Sequence, residues 1–403
     1  MTGRDDGDAR AHLRTAEGFR RTLEWPEPER TYFFGAAEGT FSLYVPGGWA
    51  YHFDLEGRLR RAASPGLHYL RGLDGAVLRK RPRRPSEPWE ELPPPAAGEA
   101  RDLYARVHGA VAGALEVLRA APVEAARAEA LDLLSRAAAY DPARLEAEAA
   151  RFREVYEPLG VLPPDRYRAL ILQVTSGCSW GRCRFCSLYR GVPYRRKSPE
   201  EFRAHARAAK AFLGRAIALK RGVFLGEANA LEAPFEDLRE IFRIVAEEVP
   251  EEVAGRPGER AGISAFTDVF SEPWLGRTEL AELVRLGLDR VYLGIESGDD
   301  EVLRALRKPA TRRLAEERVR ALKAAGASVG AIFLLGAAGA RSREHVEGTA
   351  SLAARLSLDD RDVVYLSPYG PEGAEREERE LRERLRALGV RVGRYDIASF
   401  VYY

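Results

Sequence analysis

Cys178, Cys183 and Cys186 are the only cysteines in the 403-residue chain, and they share one nine-residue window. Their spacing is C-x4-C-x2-C. Three thiolates so placed can hold three irons of a 4Fe–4S cluster. The fourth iron would find no further cysteine sulfur in this chain. An open iron is a site for a substrate or cofactor, unlike a pure electron-transfer centre. Two other readings compete. A three-cysteine zinc site commonly takes His as its fourth ligand, and the nearest His in sequence is the distant His205. Disulfides fit less well, because the cysteine number is odd and the composition reads as intracellular, where thiols stay reduced.

The stretch TSGCSWGRCRFCSLY resembles the cluster loop of the radical S-adenosylmethionine (SAM) superfamily. The usual spacing there is C-x3-C-x2-C. The longer first gap is similar to that of the elongator-like and methylthiotransferase-like branch. Phe185, before the last cysteine, matches the aromatic that the superfamily places beside the adenine. Gly226-Glu227, in VFLGEANAL, resembles the GGE-type motif, with Leu225 in place of its first Gly. In the family this motif accepts hydrogen bonds from the methionyl ammonium; Asn229 offers a second polar group. A solvated Glu in a loop turn is the plainer reading of Glu227. VYLGIESGDDEVLRALRKPAT is similar to the same branch. Glu296 and Ser297 fall where relatives bind ribose hydroxyls, and Lys308 matches the pattern too. Gly330 and Gly336, in GASVGAIFLLGAAG, would let an adenine approach the backbone; they read equally well as turn residues.

These residues need a scaffold. From residue 166 the pattern alternates strand and helix. Strand candidates are 169–174, 222–225, 261–266, 290–295, 328–335 and 363–366. Ser198-Pro199-Glu200-Glu201 reads as a capping box opening the first helix. Parallel strands need crossover helices, so this is an α/β chain with a parallel sheet. The resemblance adds closure into a partial (β/α)6 TIM-like barrel, with catalytic groups at the C-terminal ends of its strands. The domains expected are 1–97, a small β-rich module with a polar arm (1–30) and a Pro/Arg linker (79–97); 98–160, a helical extension; and 161–403, the barrel with a C-terminal tail. Gly47-Gly48 and Glu56-Gly57 mark hairpin turns. Leu103, Val107, Val111, Leu115 and Leu118 recur at helical spacing, as do Leu131, Leu133 and Leu134. The first 160 residues show no nucleophile–base pair and are expected to cover the barrel mouth.

Formal net charge is only +2, which argues for no polyanionic partner. No run of about 18 apolar residues offers a membrane span, and the N-terminus lacks an apolar signal core; the cytoplasm is the expected compartment. No G-x-x-x-x-G-K-[ST] loop supports P-loop ATP chemistry. The resemblance implies an iron–sulfur enzyme of oxidoreductase type. An external flavodoxin- or ferredoxin-like donor would reduce the cluster. SAM would be cleaved to a 5′-deoxyadenosyl radical, which takes hydrogen from a substrate the sequence does not name. With no spare cysteine, methylthiolation through a second cluster is disfavoured. Two alternatives stand: a tRNA- or RNA-modifying enzyme using the basic linker and Tyr194-Arg195-Arg196-Lys197, and a non-catalytic iron–sulfur scaffold or redox sensor.

Overall fold

A computed structural model describes residues 21–25, 32–37, 39–81, 90–120, 125–254, 262–272, 274–369, 373–396 and 402. The described chain divides into two units. One comprises 1–155, 210–220 and 401–403; the other comprises 156–209 and 221–400.

The first unit begins with an antiparallel meander: β1 (Arg21–Trp25), β2 (Tyr32–Ala37), β3 (Thr40–Val45), β4 (Trp49–Asp54), β5 (Leu59–Ser64), β6 (Leu67–Arg71), β7 (Val77–Arg81) and β8 (Glu90–Leu92). Alternation along the strands turns Phe34, Phe41, Leu43, Tyr51 and Phe53 into a core. The same core takes apolar residues of α1 (Ala97–Ala120), α2 (Ala125–Ala138) and α3 (Pro142–Val155), among them Val107, Val111, Leu118 and Leu134. The turns at Gly47-Gly48 and Glu56-Gly57 form where expected, each with glycine at positive φ. β1 lies inside the stretch expected as an arm and pairs with β2. The rest of that arm and residues 82–89 of the linker lie outside the described residues. Arg58 is buried in this unit, held by Glu148 at 2.8 Å and by the Phe212 carbonyl at 2.6 Å.

The second unit follows the alternation read from the sequence. After β9 (Leu170–Gln173) come β10 (Thr175–Ser176), β11 (Arg195–Arg196), α4 (Pro199–Leu213), β12 (Val223–Gly226), α5 (Phe235–Glu248), α6 (Glu251–Ala254) and β13 (Ile263–Asp268). Then follow α7 (Arg277–Arg285), β14 (Leu288–Glu296), α8 (Asp300–Ala305), α9 (Arg312–Ala325) and β15 (Ser328–Leu335). Last come α10 (Ser342–Arg355), β16 (Val363–Pro368), α11 (Ala374–Ala387) and β17 (Val392–Arg394). The large sheet is parallel, in the order β17-β16-β15-β14-β13-β12-β9. Neighbours in sequence are neighbours in the sheet, as crossover helices require. This is a partial TIM-like barrel, with β9 and β17 as its two edges. Six of its strands are those read from the sequence. β17 is the addition: three residues are too short to show a period.

Local signals start and stop the helices. Ser198 and Glu201 exchange the reciprocal bonds of a capping box, at 2.9 and 3.2 Å. Thr311 caps α9, and Gly326 ends it in the left-handed region. Inside the sheet, Phe224, Phe266 and Tyr292 pack ring to ring. Toward the N-terminal ends of the strands, Asp165 accepts hydrogen bonds from the hydroxyls of Tyr292 and Tyr365, each at 2.7 Å, and is paired with Arg290. That network, with Asp165 at its exposed end, closes the bottom of the sheet. The open end lies above the C-terminal ends of the strands, where the cysteine loop begins.

Candidate active site

The cysteine loop is fixed at its base and along its length. β10 and β11 pair antiparallel and bring its two ends together. Gly177 enters the loop at φ 66°; a Cβ there would stand 2.7 Å from the carbonyl oxygens of Val192 and Pro193. Only glycine fits beside the first cysteine. Ser179 donates to Glu232 at 2.9 Å, and Asn229, buried, donates to Ser179 at 3.0 Å. The Trp180 indole N–H donates to the Arg307 carbonyl at 2.9 Å, and the Arg184 amide to the Leu306 carbonyl at 2.9 Å. The loop is therefore tied to the turns after β12 and after α8.

Cys178, Cys183 and Cys186 all line one cleft of about 900 Å³, open to solvent. Burial raises the pKa of all three thiols, Cys183 to about 12, since nearby positive charge does not offset the desolvation. A metal must therefore displace their protons, and binding is coupled to proton release. Among the described residues, no three His, Cys, Asp or Glu side chains converge tightly enough to hold a single ion. A cubane asks for a wider triangle, because each cysteine ligates a different iron. Three sulfurs around one cleft, with no fourth thiolate in the chain, are a donor set that fits it.

The same cleft is lined by a charged trio, Lys308 and Glu296 buried and Asp268 half-buried. Lys308 Nζ donates to Glu296 Oε1 at 3.0 Å and to Asp268 Oδ1. Burial alone would lower the Lys308 pKa; Asp268 and Glu296 outweigh it and hold the ammonium charged, above its usual value. Glu296 sits at φ 65°, next to a register shift at the end of β14. A non-glycine residue in that region is strained, which is common at functional sites. Gly294 makes room for the pair: a Cβ there would stand 2.5 Å from Glu296 Oε1 and 3.0 Å from Lys308 Nζ.

The structure brings some of the expected residues together and not others. The three cysteines, Phe185, Glu296 and Lys308 line the cleft. Phe185 packs edge-to-face with Tyr369, ring centres 6.3 Å apart, and against the apolar cluster of Val302, Leu306 and Leu334. Glu227 does not line it. Its carboxylate is buried and accepts from the Gly160 amide at 2.8 Å, from Gln173 at 3.1 Å and from the Tyr189 hydroxyl at 3.3 Å. Burial raises its pKa. The Gly226 carbonyl is taken by the Val174 amide at 2.6 Å. The Ser297 hydroxyl is turned to His345 Nδ1, at 2.8 Å, and accepts from the Asp299 amide at 3.0 Å. Gly330 lies within β15, where a Cβ would collide with the Tyr292 ring. Gly336, at φ 75°, donates its amide to Glu377 at 2.6 Å. These two glycines stand outside the cleft wall.

Among the cleft residues to which the sequence assigns no role are Asp268, Ser367 and Tyr395. Asp268 was findable, because it ends the third strand on the edge where catalytic groups gather. Ser367 and Tyr395 carry no sequence signal.

Residues 172–353 match the family model described as the Radical SAM superfamily. No curated protein matches the chain. Among solved structures, a radical SAM methyltransferase from Sphaerobacter thermophilus is similar at 21% identity, over 58% of this chain and 67% of that one, with a TM-score of 0.43. The cobalamin-dependent SAM radical enzyme OxsB is similar at 16% identity over 61% of this chain, with a TM-score of 0.37; the chain spans about a third (32%) of its length. The Escherichia coli coproporphyrinogen III oxidase HemN, a radical SAM enzyme, is similar at 13% identity over 60% of this chain and 56% of that one, with a TM-score of 0.41. No helix among the described residues is long and apolar enough to cross a membrane. Residues 172–353 thus form a radical SAM superfamily domain, the domain of an enzyme class whose members use a 4Fe–4S cluster and SAM.

Proposed function

We propose that Cys178, Cys183 and Cys186 hold a 4Fe–4S cluster at the cleft, that SAM binds beside it, and that a substrate enters the same cleft. One observation carries this reading: all three cysteines of the chain line one cleft together with the Glu296–Lys308–Asp268 trio. Bound together, the two groups supply one-electron cleavage of the SAM sulfonium and hydrogen abstraction by the deoxyadenosyl fragment, with the electron coming from an external flavodoxin- or ferredoxin-like donor.

The chain's own residues supply position and dryness. The loop anchors hold the sulfurs in place. Lys308 offers a fixed positive charge in a buried setting, and Glu296 and Asp268 hold it there. Phe185 offers an aromatic face for an adenine. Glu296 is placed to accept from ribose hydroxyls. Gly226, Glu227, Ser297 and Gly336 act in this reading by shaping the loops around SAM, and Gly330 by leaving room for the Tyr292 ring inside the sheet. Phe266, Ile332, Leu334 and Leu188 keep the cleft wall apolar.

The C-x4-C-x2-C spacing and the GIESG stretch support the elongator-like and methylthiotransferase-like branch. The basic stretch after the cysteine loop gives RNA little to bind. Arg195 pairs with Glu201, Arg196 donates to the Glu232 carbonyl at 3.2 Å, and Lys197 pairs with Glu157 at 3.2 Å. A small molecule is the substrate this cleft favours. Anaerobic reconstitution, followed by dithionite and SAM, tests the reading through release of 5′-deoxyadenosine. A protein that loads its cluster yet releases none contradicts it.

A further inference from the structure

Two buried hydroxyls of the cleft have no hydrogen-bond partner among the described residues: Ser367 Oγ and Tyr395 Oη. Ser367 is 1% exposed and Tyr395 2% exposed. They are neighbours by register. β16 and β17 run parallel with Leu366 opposite Arg394, and the Tyr395 amide donates to the Leu366 carbonyl at 2.9 Å. One step further sets Ser367 beside Tyr395. Ser367 also shares a strand face with Tyr365, whose hydroxyl reaches Asp165 beneath the sheet. Buried polar groups in native proteins are nearly always paired, and an orphan is costly to keep. Two adjacent orphans on the wall of one cleft point to a ligand that pairs them.

The surroundings define that ligand. Burial first, then the neighbouring Tyr167, Tyr365, Tyr292 and Glu227, push the Tyr395 hydroxyl well above its ordinary pKa, so it remains an O–H donor. It wants an acceptor. An anionic acceptor is disfavoured by burial and by the nearby Glu227 carboxylate. Among the described cleft residues, Lys308 is already held by two carboxylates, and Arg190 lies at the exposed rim. A cation would find no free carboxylate there, since Glu227 is bound by Gly160, Gln173 and Tyr189. The nearby wall is Phe266, Ile332 and Leu334.

We propose that Ser367 and Tyr395 form the polar end of a substrate pocket, which binds the carbonyl of a neutral, mostly apolar small molecule such as an amide or ketone. This rests on the reading of the cleft as the place where substrate is held, and it adds the substrate class.

The test uses the full-length, reconstituted protein with SAM present. Binding of benzamide, benzoate and benzylamine is titrated by ligand-observed NMR. Benzamide is expected to bind at least about tenfold more tightly than either charged probe, the loss of one good hydrogen bond being worth about that factor. Tyr395→Phe and Ser367→Ala should each weaken benzamide several-fold. Melting of the ligand-free Tyr395→Phe protein separates this role from a structural one. Removing an orphaned hydroxyl should leave the melting temperature unchanged or raised, whereas a hydroxyl with a structural partner would lower it. Benzoate or benzylamine binding as tightly as benzamide, no benzamide binding, or an unchanged affinity in Tyr395→Phe would overturn the inference. The EPR response of the same samples to SAM reports on the cofactor reading alone. An intact response without benzamide binding removes only the carbonyl pocket.

Discussion

Lys308 Nζ stands 3.0 Å from Glu296 Oε1 while also bound by Asp268, and all three groups face the cleft that the cysteines line. Two carboxylates share one buried ammonium, so the members are not equivalent. Removing Lys308 leaves two carboxylates close together with no counter-charge. Removing Glu296 leaves a complete Lys308–Asp268 pair. Lys308→Ala is therefore expected to cost about 3–5 kcal/mol of stability, and Glu296→Ala much less. Denaturant melts of the cluster-free protein measure both, and equal costs would contradict the sharing. Glu296→Ala should also weaken SAM binding with iron content unchanged; an equal loss of iron would mark Glu296 as structural.

Gly177 opens the cysteine loop at φ 66°, with carbonyl oxygens of Val192 and Pro193 where a side chain would begin. Gly177→Ala must displace backbone, not a flexible side chain. The expected result is a protein that folds, by far-UV circular dichroism, yet reconstitutes with well under half the iron of the wild type. Full iron loading in Gly177→Ala would show that the loop tolerates the shift.

The cysteine loop was legible because cysteine is scarce in this chain, so three in one window stand out from the composition. The parallel sheet was legible because strand and helix alternate with a clear change of period. The direction of single side chains was not. Ser297 adjoins Glu296 in sequence, yet it turns to His345 while Glu296 lines the cleft. Neighbours on a strand point to opposite sides, and the register shift at Gly294/Glu296 decides which side faces in. Glu227 sits at the right strand end, but Gly160, fixed only by the fold, takes its carboxylate. Asp268 joins Lys308 across 40 positions of chain, a pairing with no local signature.

His52 gives the first unit a pH dependence of its own. It is hydrogen-bonded to the Ser42 hydroxyl at 2.7 Å, and its pKa falls to about 4, chiefly through burial and then through Arg61, Arg60 and His68. Folding thus holds the neutral imidazole, while the unfolded chain takes up a proton near pH 6.5. The sign follows: stability is complete above about pH 6.5 and is lost as the pH falls toward 4. The full loss should reach about 3.4 kcal/mol, the drop from 6.5 to about 4 at about 1.36 kcal/mol per pKa unit, with about 2 kcal/mol of it gone by pH 5. Urea unfolding at pH 7 and pH 5 measures it, and His52→Gln should flatten the slope. An identical slope in the variant would assign the dependence to other groups.

The most direct test of the cofactor reading is iron and sulfide analysis of the anaerobically reconstituted protein, with EPR of the reduced sample before and after SAM. Expected are about four irons and four sulfides per chain and a spectrum that changes when SAM is added. Replacing Cys178, Cys183 or Cys186 by Ala should abolish both. One tightly bound zinc per chain, with no cluster signal, would contradict the radical reading outright.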